Sequence, residues 1–263
     1  MTPFRIMVAA AMLLMTSLVS AQALPRIAII IDDLGYQLEA GQRAINLPGP
    51  ITYAILPNTP RGRLLAERAH EQGKDVLLHL PLQSIAYDGP NEPGSITLDM
   101  SRDAFHDTFS AALASVPHAI GVSSHRGSLL TRHPGHMEWL MEEIRARDGL
   151  FFVDSYTTHH SVALQFAGEA GVAAVKRDVF LDNDRTPEAL ARAFQRLVKL
   201  ARRQGVAVAI GHPYPETLEF LERALRELAD DVELAPVSEV MHVLARRSQS
   251  VASNREPDMG NEL

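Results

Sequence analysis

The sequence predicts an α/β fold, a closed or nearly closed (β/α) barrel of about seven parallel strands in a single domain. Three observations lead there. Runs such as 27–31 are near-continuous aliphatic stretches, not alternating ones, as expected of parallel strands covered on both faces. These runs alternate with segments whose apolar residues recur every three or four positions, the period of an amphipathic helix. The 263 residues, 46% hydrophobic and 22% charged, show no repeat and no internal boundary, which suits one globular unit. A doubly wound open sheet is the rival layout. In both, chemistry gathers at the carboxyl ends of the strands.

The elements follow in order. Arg5, the apolar run 6–19 and Ala21-Gln22-Ala23 have the layout of a secretory signal over residues 1–23. About fourteen apolar residues fall short of the roughly 20 that span a bilayer. An uncleaved N-terminal anchor is the alternative, and no later segment is long and apolar enough to cross a membrane. The folded domain is expected over 24–247. Residues 27–31 read as the first strand and 51–56 as the second. Pro57-Asn58-Thr59-Pro60 then turns into a helix stopped at Gly73, with Leu64, Leu65 and Ala69 inward. Residues 75–80 are a third strand. The Gly-, Pro- and Asn-rich stretch 83–99 reads as a long loop. A helix over 101–115 places Phe105, Phe109 and Leu113 at helical spacing.

A short strand 119–122 comes next, then a helix over 134–147 carrying Met137, Leu140, Met141 and Ile144 on one face. Residues 150–153 are a strand, 161–170 helical, and 173–175 and 179–181 short extended pieces. Thr186-Pro187 opens another helix with a capping residue and a first-turn proline. A strand at 206–210, a helix at 215–228 and a last strand at 232–234 complete the domain. The polar tail 248–263 has no core periodicity and is expected to be disordered.

A formal net charge of −7 argues against a nucleic-acid groove, while neutral polymers such as glycans remain open. With no cysteine, a metal site must use imidazoles and carboxylates. Six strand ends supply acids or imidazoles: Asp32-Asp33, His79, Ser123-Ser124-His125-Arg126, Asp154-Ser155, Asp182 and His212. One carboxylate with two imidazoles is a standard hydrolytic metal set, and Asp33, His79 and His125 supply it. Asp32 is then the general base, and a cation explains why two adjacent carboxylates are tolerated. His212 is the proton donor to the leaving group, and Asp154 the acid that orients an imidazole.

Plainer readings stand beside these. The acids can cap turns and helices, and His79 can be a satisfied core histidine. His133 and His136, around Pro134-Gly135, and the pair His159-His160 are set aside. Trp139 and its methionine neighbours read as core. Tyr36, Tyr156 and Tyr214, each just past a strand end, are candidates to stack on a sugar ring.

The ordered motifs "IAIIIDDLGY", "LLHLPL", "AIGVSSHRGS", "LFFVDSYT", "KRDVFLDND" and "AIGHPYPETL" resemble the divergent polysaccharide deacetylases, relatives of the NodB-type carbohydrate esterases. The resemblance runs from about Pro25 to Arg246. It implies a distorted (β/α) barrel with fewer than eight strands, Asp32 as base, Asp33 as metal ligand and His212 as the late histidine. NodB-type enzymes carry both metal histidines in one H-x-x-x-H motif. Here the matching strand offers only His79, which leaves the second ligand to His125. Where the divergent family has N-N-H-M-G-S, this chain has Ser123-Ser124-His125-Arg126-Gly127-Ser128. Its H-L-P-M-x-P is His79-Leu80-Pro81-Leu82-Gln83-Ser84 here. Arg126 places a cation near the proposed metal, which either weakens metal affinity or binds an anionic substrate group. Arg126 and Asp182 join the three tyrosines as substrate-binding candidates.

The expected activity is an exported, secreted or periplasmic, metal-dependent hydrolase that deacetylates an N-acetylated glycan of the cell envelope. Zinc is the first expectation, with manganese, iron and cobalt also compatible, and peptidoglycan is an accessible substrate. The alternatives are a non-catalytic glycan- or protein-binding relative and a metal hydrolase of another amide or ester.

Overall fold

A computed structural model of the chain describes residues 24–86, 89 and 91–244. The expected signal over 1–23 and the expected tail 248–263 lie outside them. All strand pairings among the described residues are parallel. The strands are β1 (Arg26–Leu34), β2 (Thr52–Ile55), β3 (Val76–Leu82), β4 (Ala119–Arg126), β5 (Phe151–Asp154), β6 (Ala174–Lys176), β7 (Val179–Phe180), β8 (Val206–Gly211) and β9 (Glu233–Leu234). Their order is β6-β5-β4-β3-β2-β1-β8-β7, with β9 against the start of β1.

β6 and β7 stand at opposite ends of that order, yet only Arg177 and Asp178 separate them in the chain. The Arg177 amide donates to the Asp154 carbonyl at the end of β5. The Asp178 amide donates to the Val208 carbonyl of β8. One kinked segment therefore pairs with β5 through its first half and with β8 through its second. It closes the sheet into a distorted barrel with about seven staves, β6 and β7 counting as one.

β1, β2, β3, β5 and β8 bury both faces almost throughout, and strand periodicity sorts their side chains. Ala28, Ile30, Ala54, Leu77, Phe151, Val153, Val206, Val208 and Ile210 pack together in the lumen. Ile27, Ile29, Ile31, Leu78, Val122 and Phe152 belong to the larger outer core beneath the helices. That coat comprises α1 (Leu38–Ile45), α2 (Gly62–Glu71), α3 (Arg102–Ser115), α4 (Pro134–Arg145), α5 (Ala163–Ala170), α6 (Pro187–Gln204) and α7 (Pro215–Ala224). The first-turn prolines are in place, but the expected cap Thr186 of α6 makes no side-chain capping hydrogen bond. Ser101 Oγ accepts from the Ala104 amide at 3.2 Å, and proline opens α4, α6 and α7.

Two helices escaped the sequence reading. α1 has only eight residues, a Gln37 cap with no side-chain hydrogen bond, and an internal glycine. Gly41 is there for closeness, since a Cβ would sit 2.6 Å from Leu65 of α2. The second is the C-terminal helix, described over residues 237–244. Its Val237 amide donates to Thr52 Oγ1 and its Ser238 amide to Asp75 Oδ2, both at 3.0 Å, at the starts of β2 and β3. Val237, Val240 and Met241 join the lumen cluster, so this helix seals the amino-terminal mouth. The opposite mouth carries the polar strand ends.

Candidate metal centre

The centre begins with an irregularity in β1. Ile31 pairs with Tyr53 and Leu34 with Ile55, so three steps on β1 face two on β2. Asp33 takes φ of 62°, in the left-handed region. In an unbroken strand Asp32 and Asp33 would point to opposite faces. The bulge turns both toward one point. Asp32 Oδ2 lies 3.4 Å and Asp33 Oδ1 3.2 Å from Nε2 of His79. Gly35 locks the turn that follows. It has φ of 139°, and a Cβ there would fall 2.1 Å from Thr59 Oγ1, so no side chain fits.

His79 on β3 pairs in register with Ser123 on β4. Neighbours in register share a face, and the Ser123 hydroxyl lies 2.8 Å from His79 Nδ1. Two residues on, His125 returns to that face. Its Nδ1 is 3.1 Å from His79 Nε2 and 2.9 Å from Asp33 Oδ1. Arg126 and Gly127, with φ of 58° and 77°, then turn the chain away.

The residues present fit a divalent cation. His79 Nε2, His125 Nδ1 and Asp33 Oδ1 lie 2.9 to 3.2 Å from one another. Bonds of about 2.0–2.2 Å place neighbouring ligand atoms roughly 3.3–3.6 Å apart at tetrahedral angles and about 2.8–3.1 Å apart at right angles, a range that brackets these separations. Asp33 Oδ1 is buried, and neither ring directs an N–H to it at hydrogen-bonding angles despite the short separations. Oδ1 of Asp32 is buried and unpartnered too. Among the described residues these are the only three acids and imidazoles whose ligand atoms cluster this way.

The charges support that reading. Burial is the largest influence on Asp33 and opposes ionisation, but His125 and His79 outweigh it and hold the carboxyl well below the usual range. Asp32 goes the other way, raised by its burial despite the surrounding imidazoles. Burial opposes a charge on His125, yet Asp33 and Glu92 overcome it and push the imidazole up to about 9. A proton and a metal ion compete for such a seat.

His212 approaches from β8. Its Nδ1 is 3.0 Å from Asp182 Oδ1, and its Nε2 is 3.7 Å from Asp33 Oδ2. Asp182 Oδ2 accepts from the His212 amide at 2.6 Å and the Thr217 hydroxyl at 2.9 Å. Burial resists a proton on His212, but Asp182 and Asp33 raise its pKa.

Asp32, Asp33, His79, His125 and His212 thus meet at one point, and two acids sit elsewhere than expected. Asp182, placed among the substrate-binding candidates, has both oxygens engaged behind His212 and is the acid that orients an imidazole. Asp154, expected in that role, is turned elsewhere. Phe151 and Val153 face the lumen, so Asp154 has the outward parity of Phe152. Its oxygens accept from the Tyr156 amide at 2.8 Å and the Ser161 hydroxyl at 2.7 Å, fixing the turn after β5.

A cleft of about 350 Å³ opens over the centre, with Asp33, Tyr36, His125, Arg126, His212 and Tyr214 in its lining. Tyr156 is not among its lining residues. Its ring lies under Lys176 Nζ, 4.5 Å from the centroid. Two contributors went unseen in the sequence. Glu92, from the 83–99 loop, approaches His125 Nε2 at 3.0 Å and Arg126 at 2.8 Å. Arg177, at the barrel seam, donates to the carbonyls of Ser155 and Tyr156. A lone loop acid carries no periodic signal, and Arg177 would show only once β6 and β7 were joined.

Comparison with known proteins agrees with this architecture. The sequence profile described as divergent polysaccharide deacetylase matches residues 29–241. The uncharacterized protein YibQ of Escherichia coli K12 is 34% identical over 260 residues, covering 98% of this chain and 80% of its own. An uncharacterized Haemophilus influenzae protein is 38% identical over 221 residues, 84% of this chain and 78% of that one. Among solved structures, an uncharacterized Agrobacterium tumefaciens protein superimposes with a TM-score of 0.79 at 24% identity, covering 84% of this chain and 91% of the other. The catalytic domain of a peptidoglycan N-acetylglucosamine deacetylase from Eubacterium rectale shares the fold at a TM-score of 0.52 and 18% identity, covering 81% and 89%. Strand order, the acid pair on β1 and a profile match over most of the folded region converge: the chain belongs to the divergent polysaccharide deacetylase family.

Proposed function

We propose that this chain is an exported, metal-dependent hydrolase that removes acetyl groups from an N-acetylated glycan of the cell envelope, with peptidoglycan the accessible polymer. The observation that carries the reading is the triangle of Asp33, His79 and His125, with Asp32 on one side and the His212–Asp182 pair on the other. The family and the glycan deacetylase with the same fold support the substrate class. The signal-like start of the sequence supports export.

Asp33, His79 and His125 would hold the ion, zinc being the first expectation. When bound, such an ion polarises an amide carbonyl and lowers the pKa of water. The chain's own residues do the rest. Asp32 has an unpartnered Oδ1 and a pKa raised by burial, which suits a base that takes a proton from the attacking water. The water oxygen bonds to the acetyl carbon and the C–N bond breaks. His212 Nε2 delivers the proton that the departing amine needs, and Asp182 keeps the ring facing it. Tyr36 and Tyr214 stand at the cleft, Tyr214 beneath the Arg185 guanidinium at 4.5 Å, and are the aromatic residues placed to meet a sugar ring.

The test uses the full chain purified without chelators. Elemental analysis should find one divalent ion per chain, and acetylated glucosamine oligomers should release acetate. Asp33→Ala and His125→Ala should lose metal and acetate release together. Full occupancy in His125→Ala rejects the ligand set. Occupancy without acetate release under any divalent ion favours a non-catalytic glycan-binding relative.

A further inference from the structure

His133 and His136 belong to neither the ligand triangle nor the lining of the cleft above it. Pro134 and Gly135 between them do not keep them apart. Pro134 is the first residue of α4, so His133 sits at the cap and His136 in the first turn. A capping residue and the third residue of its helix are neighbours. The two Nδ1 atoms lie 3.2 Å apart, and the rings meet edge to face at 84°. His133 makes no side-chain hydrogen bond to the helix amides, so capping does not explain it. His136 is only 6% exposed and packs against Phe105 and Trp139, with ring centroids 6.2 and 4.9 Å away. Its Nε2 is buried with no hydrogen-bond partner, which leaves Nδ1, turned to His133, as the polar contact of the ring. An imidazole with one orphaned nitrogen is a costly way to fill an apolar wedge.

We propose that His133 and His136 form a second metal seat, a solvent-open pair of imidazoles for a nitrogen-seeking divalent transition metal, copper(II) first. Two nitrogens 3.2 Å apart, each bonded to one ion at about 2.0–2.1 Å, subtend roughly 100° at it. That angle suits neighbouring positions of a tetragonal or a tetrahedral shell. In the metal-free protein one ring donates to the other across the same gap, and the ion replaces that contact. Aromatic packing fixes the buried ring of His136, and exposed His133 completes the pair from the solvent side. A given nitrogen site generally holds copper(II) more tightly than zinc, and the chain has no thiolate to reverse that order. Two protein ligands leave the rest of the shell to water, and the positive N-terminus of α4 opposes a cation. The seat therefore exchanges its ion and fills on titration rather than carrying it through purification. It does not depend on the deacetylase reading, whose ligands are other residues.

The experiment titrates copper(II) into the full chain carrying Asp33→Ala with His125→Ala, a background that disables the first centre. One ion should bind, and its electron paramagnetic resonance spectrum should show splitting from two imidazole nitrogens. Adding His133→Ala should weaken that binding by more than about 10–100-fold, the loss that disturbing a ligand's supporting partner alone brings. His133 is exposed, so a melt of this variant should match its background. Adding His159→Ala and His160→Ala instead, at the other exposed pair of adjacent imidazole rings, should leave copper(II) affinity unchanged. Copper(II) affinity unmoved by His133→Ala, a spectrum with one nitrogen, or an ion lost with His159 and His160 overturns the proposal. A background protein that binds no copper(II) also overturns it and leaves the first centre untouched. Failure of the first centre shows separately, as a parent chain with no zinc and no acetate release.

Discussion

Adjacent carboxylates at Asp32 and Asp33 do different work because one backbone angle differs. With the left-handed turn at Asp33 the two acids converge, and their surroundings then split them. Asp33 is held ionised by two imidazoles, whereas Asp32 is buried and raised. The same logic separates Asp182 from Asp154, both visible as strand-end acids in the sequence. Only the parity of the strand beneath each decides which one reaches an imidazole. Asp182→Asn should therefore leave bound zinc intact and lower acetate release by up to about 10²–10⁴-fold, the range that a positioned proton-transferring side chain such as His212 contributes. Elemental analysis beside the acetate assay checks this, and parent-level turnover would remove His212 from the reaction. The sequence announced which residue types gather at the rim. It could not announce the bulge, since nothing in "IIIDDLGY" marks where pairing with β2 skips a residue.

Among the elements, the legible ones have a strong local cause. Aliphatic runs became β1, β2, β3, β5 and β8, and first-turn prolines opened α4, α6 and α7. α1 is short, and α1 and the C-terminal helix are held by tertiary contacts, as at Gly41 against Leu65 and Val237 against Thr52, so local pattern alone does not specify them. One junction between elements gives a pH prediction. Glu143 of α4 is buried, 2.8 Å from Arg147 and 3.0 Å from His106 of α3. Burial is the largest influence on its carboxyl and opposes ionisation, but Arg147 and His106 outweigh it and hold the pKa below the usual glutamate value. A folded-state value below the unfolded one adds stability above the unfolded pKa and loses it as pH falls through the folded value. Glu143→Gln should thus cost about 2 kcal/mol at neutral pH, or roughly 4–8 °C in Tm. The gap from the parent should close as the pH drops below the ordinary carboxylate range. Melts of both proteins across that range check the sign, and a gap that widens in acid refutes it.

At the scale of the whole molecule the barrel axis separates stability from chemistry. At the amino-terminal mouth the lumen is apolar and stoppered by Val237, Val240 and Met241. At the carboxyl mouth the same inward positions carry Asp32, His79, Ser123, His125 and His212. Closure depends on the seam at Arg177-Asp178, which hands one segment from β5 to β8 and leads on to Asp182 behind His212, while His212 itself stays beside Asp33 because β8 pairs directly with β1, Ile31 against Gly211. Damage at the two mouths should then have different signatures. Val240→Asp puts an unpaired charge into the apolar plug, at a cost of at least about 3 kcal/mol, or roughly 6–12 °C in Tm. The plug contacts the starts of β2 and β3 and none of the proposed ligands, so whatever remains folded should still bind zinc. Ligand linkage makes that visible, because free zinc at about 100 times its Kd stabilises a binding-competent fold by about 2.7 kcal/mol, or roughly 5–10 °C. The parent and Val240→Asp should both show that rise, the second from a lower baseline, while Asp33→Asn should show none. If Val240→Asp also lost the zinc-dependent rise, the two mouths would be one cooperative unit, and the metal seat would depend on the plug rather than on the strand ends alone.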